Sequence, residues 1–319
     1  GVSGSGSSGG ILGSTSSCKA LVFSGNGNYG TISGGLTGGL IGYSNLSYTI
    51  KDCYNYGAVS GTVYVGGFVG QVASKSITVD GGKNIAKVSG EDKFGKYVGS
   101  GSATYNNLQT VEISSVDDLW LLDKNIAQES FVLTDDLDLS GIESWTMMDL
   151  AASLDGDGHV ISGLNLESDK AENLALFNNI SGTISDITFE NVVVSSESYE
   201  SVKLGIIGIT LTGKISGVTI AESCSVSGGA ATAGAFVAII SGGTVENCTN
   251  NAAVTTHTTT DVGATGGIAG EMNNGVITDT VNSGDIVGVY RVGGLVGYAT
   301  NNVRMSNCQN TAAVTGKNA

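Results

Sequence analysis

One short phrase recurs along this chain and limits what it can fold into. NYGTISG at residues 28–34 returns almost unchanged as NYGAVSG at 55–61. Relaxed to N-x-[GA]-x-[VI], the phrase stands at Asn28, Asn55, Asn84, Asn250, Asn282 and Asn310. A second phrase keeps pace with it. GGILG at 9, GGLIG at 38, GGFVG at 66 and GKYVG at 95 are spaced by 29, 28 and 29 residues. GIIGI at 205, GAFVA at 234, GGIAG at 266 and GGLVG at 293 follow at 29, 32 and 27. Between the two lies a third element: IKDC at 50–53, VENC at 245–248, ITDT at 277–280 and MSNC at 305–308.

Each period therefore carries three short pieces rich in Val, Ile and Thr and bounded by Gly or Asn, which are strand signals. One period cannot bury its apolar side alone, whereas stacked periods share a continuous core. Helical repeats need amphipathic segments of about ten residues, leucine-rich repeats need L-x-x-L-x-L, and propeller blades need about 40 residues or more. None of these patterns is present. The spacing predicts an all-β fold, a parallel β-solenoid (β-helix) with coils of about 28 residues, each adding about 4.8 Å. In that fold the recurring Asn sits at one corner, where Asn tolerates left-handed backbone, and its side chains stack into an amide ladder. The Gly or Ala two residues on keeps the corner free of bulk, and the following Val or Ile points into the core.

Gly contributes 50 of 319 residues and Pro none, which excludes collagen and Pro-rich linkers. A mean hydropathy of +0.16 with 40% hydrophobic residues argues for a folded chain. The net charge of −15 is uneven: residues 1–105 hold seven Lys against four carboxylates (+3), and residues 106–319 hold seven Lys and Arg against 25 (−18). So acidic a chain is not expected to bind nucleic acid, which needs clustered Lys and Arg. No apolar run of about 18 residues is present, so no membrane span is expected. The start, GVSGSGSSGG, lacks the charged and apolar regions of a signal peptide and runs straight into the repeat. It reads as part of a longer or processed polypeptide.

Cys53, Cys248 and Cys308 share one repeat position, which Thr280 takes in the coil between. Small core residues are expected there, not disulfides, because positions two coils apart lie about 9–10 Å from one another. Five cysteines in this spacing match no zinc pattern. Cys18 and Cys224 stand outside the series.

The period lapses between Leu108 and Leu166. Ser115 to Asp118 followed by Leu119, Trp120 and Leu122 is a helix-start pattern. Such a helix would cover exposed strand edges at the end of a solenoid. Two units follow: 1–107, a first solenoid, and 108–319, a second with a helix as its N-terminal cap.

DDLWLL, FVLTDDLDLSGIESW and LDGDGHVISGL, followed by GG-x-x-G coils, resemble the GLUG-motif surface proteins of bacteria. That group includes adhesins of gut anaerobes and the non-catalytic repeat regions of IgA-protease-like proteins. The likeness spans most of 110–319, and the coil phrases extend it to 9–105. It implies an extracellular location, on the cell surface or attached to the outer membrane, a role in adhesion or scaffolding, and no catalytic residue. The helical H-E-x-x-H of a metalloprotease is missing, and the two histidines, His159 and His257, lie in other contexts.

Two sets of residues invite a chemical role. Asp135, Asp136 and Asp138, with Asp155, Asp157 and His159, offer carboxylates, but the EF-hand spacing is absent and Asp-Gly pairs are turn formers. They are read as turns, with no metal site and no cofactor. A paired-carboxylate glycosidase would be the enzyme alternative. Tyr43, Tyr48, Tyr54, Tyr56 and Tyr64 crowd the first unit, and exposed rings on one face would indicate carbohydrate binding. The expected partner is a surface protein or a glycan, and the expected activity is non-catalytic.

Overall fold

The computed structural model describes residues 1–16, 18–257 and 263–317. Its strands stack as a parallel β-solenoid, and every strand pairing among the described residues is parallel. The chain divides into two compact units, Gly1–Val111 with Leu119–Ser130, and Glu112–Asp118 with Phe131–Ala319.

In unit 1, strands Val2–Gly9, Ile32–Gly38, Val59–Gly66 and Val88–Gly90 lie side by side in one sheet. Leu12–Ser14, Ile41–Ser44 and Val69–Asp80 lead a second, and Gly27–Asn28, Tyr54–Asn55 and Lys83–Asn84 form a third. Unit 2 stacks four sheets of eight, seven, six and eight strands. The coils of unit 2 thus draw strands from four sheets, one more than the phrases suggest. The first two coils of unit 1 likewise hold four strands, whereas Val69–Asp80 runs unbroken in the third. The extra break comes from a residue with left-handed backbone. Asp52, at φ 48°, separates Thr49–Lys51 from Tyr54–Asn55. Asn247 (52°), Asp279 (48°) and Asn307 (54°) do the same in unit 2.

This relocates the corner. The left-handed residue is the Asp or Asn of the KDC, ENC, TDT and SNC elements, not the recurring Asn of the NYG phrase. That Asn sits in a strand with its side chain turned inward, where it builds the expected ladder. Asn28 Nδ2 donates to Asn55 Oδ1 at 2.7 Å, and Asn55 Nδ2 to Asn84 Oδ1 at 2.8 Å. In unit 2, Asn250 donates to Asn282 and Asn282 to Asn310, both at 2.7 Å. Asn55, Asn84, Asn250 and Asn282 are fully buried. Only a closed chain of donors and acceptors makes such burial tolerable, since an unmatched buried amide group costs about 1–3 kcal/mol.

The ladder explains the second phrase. A β-carbon on Gly39 would stand 2.5 Å from Asn55 Cγ, and one on Gly67 2.5 Å from Asn84 Cγ. Gly267 and Gly294 face Asn282 and Asn310 in the same way. The second glycine of GG-x-x-G is bare because the ladder amide and the carbonyl of the equivalent residue one coil on both lie against it. Gly67 O would be 2.1 Å from a β-carbon on Gly39, and Lys96 O 2.1 Å from one on Gly67. Where the ladder position is Ile220, one coil before Asn250, the glycine position is Ile206. The third residue of the phrase fills the core, as Leu40, Phe68 and Tyr97, and the last two rings meet edge to face at 5.1 Å.

The cysteines of the IKDC and VENC elements act as small core residues, and Cys308 of MSNC takes the same position partly buried. The Sγ of Cys53, Cys248 and Cys308 each points to the carbonyl two residues back, at 3.2, 3.1 and 3.2 Å. Thr280 Oγ1 makes the same bond to Thr278 at 2.8 Å. All five thiols are free. Cys224 is buried against Phe189 O, and Cys18 is exposed. Burial raises the Cys53 and Cys224 thiols and pushes Cys248 up to about 11. Native thiol titration is expected to modify Cys18 first, partly buried Cys308 more slowly, and the other three only on unfolding. Fast labelling of Cys248 in the folded protein would contradict this packing.

The helix expected as the cap of the second unit is a single 3₁₀ turn run, Val116–Leu122. Its first residues, to Asp118, fall with unit 2, and the chain from Leu119 to Ser130 groups with unit 1. The physical reason lies at GKYVG, where Lys96 replaces the second glycine. No Asn faces this position, because Asn84 ends the ladder by donating to Lys96 O at 2.7 Å. The Lys96 ammonium instead reaches Glu129 Oε1 at 2.8 Å and Leu121 O at 2.6 Å. Glu129 also accepts from Tyr97 OH at 3.1 Å and from Ile126 N at 3.0 Å. Residues 119–130 are thereby tied over the last coil of unit 1.

Candidate functional site

The carboxylates of the Asp-rich segments serve coil corners. Asp136 Oδ1 accepts from Val160 N at 2.9 Å and lies 3.0 Å from His159 Nδ1. Asp138 accepts from Ser140 N at 3.0 Å, and Asp155 from Asp157 N at 3.1 Å and Ser185 Oγ at 3.3 Å. Asp157 has left-handed backbone at φ 48° and Gly158 follows at 83°. These are turns between parallel strands, where an Asx carboxylate satisfies the backbone two residues on. The turns are coil corners, not hairpins. Among the described residues no group of three or more His, Cys, Asp or Glu is placed to hold a metal.

Hydrogen bonds from Val160 N and then His159 hold the Asp136 carboxyl below its ordinary value, and Ser140 N does the same for Asp138. A carboxyl lowered in the folded state adds stability above the unfolded pKa, near pH 4, and loses it as pH falls through the lower folded value. Carboxyl NMR titration of Asp136 is expected to give a value below 3.8. Asp136→Asn should flatten the acid limb of the melting profile. An Asp136 titrating at or above 3.8 would refute the capping role.

A groove of about 700 Å³ runs across the first sheet of unit 1. Its floor is the stacked small residues Gly34, Gly61 and Gly90 with Ser33, Ser60 and Ser89. Its lining holds one carboxylate, Glu91.

The tyrosines separate into core and surface. Tyr48 is buried among Phe23, Ile50 and Cys53, and burial pushes its phenol up to about 12. Tyr43 is partly buried, and Tyr64 lies 5.9 Å from the Lys93 ammonium. Tyr54 and Tyr56 flank the ladder residue Asn55 on the outer side of its strand, and the sequence reading leaves out their third member. Tyr29 stacks on Tyr56 with centroids 4.9 Å apart and planes 9° from parallel, and Tyr54 lies 6.1 Å from Tyr56 at 16°. The signal was in the first phrase, since Tyr29 and Tyr56 are the Y of the two NYG copies. The ladder bond between Asn28 and Asn55 fixes the register, so each following residue points outward one coil apart. Tyr29 is 76% exposed and Tyr56 39%. Gln109 Nε2 donates to Tyr54 OH at 2.8 Å. Gly27 leaves room beside the Tyr29 ring, where a β-carbon would be 3.1 Å from Cε2.

Fold and surface together define a parallel β-solenoid whose recurring polar residues serve the stacking of coils. No family model matches the sequence. The chain is 27% identical over 197 residues to Halomucin of Haloquadratum walsbyi, covering 56% of this chain and 2% of that protein's length. Among solved structures, a Bacteroides ovatus protein provisionally named an immunoglobulin A1 protease shares 20% identity. The match has a TM-score of 0.47 and covers 63% of this chain and 67% of that one. No helix among the described residues is long and apolar enough to cross a membrane.

Proposed function

We propose that this chain is a non-catalytic repeat module of a surface or secreted protein, of the kind the GLUG-motif proteins represent. In this role its coils provide reach and attachment faces. One observation carries the reading: the residues that recur from coil to coil are engaged in stacking. The Asn amides bond to one another, the glycines make room for them, and Asp136, Asp138 and Asp155 accept from corner backbone. A chain built this way gains length and exposed side chains with each coil. The similarity to a protein named as a mucin supports the same reading.

Antibody labelling and protease shaving of intact cells that make the protein test its location. Accessible epitopes on untreated cells are expected, and signal only after lysis would sink the proposal. Incubation with glycan and IgA panels is expected to give no products. Turnover that disappears in Asp155→Ala or Asp157→Ala would replace this reading with the enzyme.

A further inference from the structure

We propose that Tyr29, Tyr54 and Tyr56 form a binding platform for the pyranose rings of a glycan chain. The proposal deepens the surface-module reading by giving unit 1 a ligand class. Single exposed aromatics are ordinary on protein surfaces. Three in contact, with nearly parallel planes, on one side of one unit are a contiguous apolar patch of the type that marks binding sites. The ladder does not require them. The position after the ladder Asn is Tyr29, Tyr56 and then Ile85 in unit 1, and Asn251, Ser283 and Thr311 in unit 2. The amide ladder continues beneath either set.

The chemistry of the patch selects the ligand. A pyranose ring has a face of C–H groups edged by hydroxyls. A phenol face has a quadrupole that favours polarised C–H groups. Tyr56 covers one face of Tyr29, and Tyr29, 76% exposed, presents the other, with the ring edges and hydroxyls of Tyr54 and Tyr56 beside it. Tyr side chains lose little conformational freedom on binding, and these rings are already aligned by stacking. Polar groups stand beside the apolar surface: the Gln109 amide on Tyr54 OH, and Lys83 at the register position one coil beyond Tyr54. A few directed polar groups around an apolar face is the usual composition of a small-ligand site. The first unit is also the part of the chain with net positive charge, so an acidic glycan is not repelled there as it is by the second.

The test is a glycan array followed by calorimetry on the full chain. The probes are neutral cello- and chito-oligosaccharides in one arm and sialylated mucin-type glycans in the other. Binding in either arm is expected, and the arm identifies the source. Tyr29→Ala should weaken it several-fold and Tyr29→Ala/Tyr56→Ala by about tenfold or more, the range of a lost interface anchor. The melting temperature of Tyr29→Ala should not move, because its ring is 76% exposed. Tyr298→Ala, an exposed tyrosine of unit 2, should bind as the parent does. No binding in either arm, or binding unchanged in Tyr29→Ala, would overturn the proposal. Cell-surface labelling tests the module reading separately, so either conclusion can fail without the other.

Discussion

Glu129→Ala is expected to destabilise unit 1 by about 3–5 kcal/mol, the cost of leaving a buried charge without its partner. Lys96 is 7% exposed and Glu129 3%. Burial draws the Lys96 ammonium below its ordinary pKa, and Glu129 opposes that shift. With the carboxylate gone, Tyr97 OH and Ile126 N also lose an acceptor. Residues 119–130 should then detach from the last coil and become the first site of proteolysis. The sequence provides a probe in each unit, because its two tryptophans are Trp120, in unit 1, and Trp145, in unit 2. Denaturant titration of Trp145→Phe should report the loss through Trp120, and the matching Trp120→Phe protein should show the unit 2 transition unmoved. The double change Lys96→Met/Glu129→Leu should recover most of the stability, since an apolar pair of similar volume often replaces a buried ion pair without loss. An equal loss in single and double variants would show that the segment is held by packing alone.

Gly67→Val should be of similar severity for a different reason. Overpacking a close-packed interior costs about 1–3 kcal/mol. Here the added atoms also meet Asn84 Cγ, so the amide bond from Asn55 is lost with it. Two unmatched amide groups add about 1–3 kcal/mol each, for a total of about 3–9 kcal/mol, a large part of the about 5–15 kcal/mol that holds an ordinary unit folded. Gly267→Val should do the same in unit 2 against Asn282. Gly267→Ala should also destabilise, because its β-carbon alone would stand 2.4 Å from Asn282 Cγ and from Gly294 O. It should do so by less than Val, since Ala235 occupies this position one coil earlier beside the intact Asn250 bond. Unfolding midpoints of the three variants check the ranking. Equal midpoints for the Val and Ala variants would mean that glycine is there for its backbone and not for the amide.

The two phrases and their common period were enough to define coils, a parallel solenoid and a ladder of Asn side chains. Stacking makes each coil repeat the same local problem, so its solution is written in every period. The cysteines were legible on the same ground, because a position shared by Cys and Thr needs a small side chain with one weak donor. Even the end of unit 1 left a mark, as Lys96 in place of a glycine. The Asp-rich segments read as turns from their composition, although the hairpins that Asp-Gly pairs suggest became corners between parallel strands.

Tertiary structure decided what depends on pairs far apart in the chain or on backbone angles that several residue types adopt. Asp and Asn are both at home with positive φ, so composition did not show that Asp52 and its equivalents, and not the ladder Asn, turn the corner. The fourth strand, in the coils that have one, followed from that corner. Lys96 and Glu129 meet only because residues 119–130 return to unit 1, which no local pattern encodes. Tyr29, Tyr54 and Tyr56 became one surface because register set them on the same side of neighbouring coils, while Tyr48 went into the core. The sequence specifies which residues repeat, and stacking decides which of them touch.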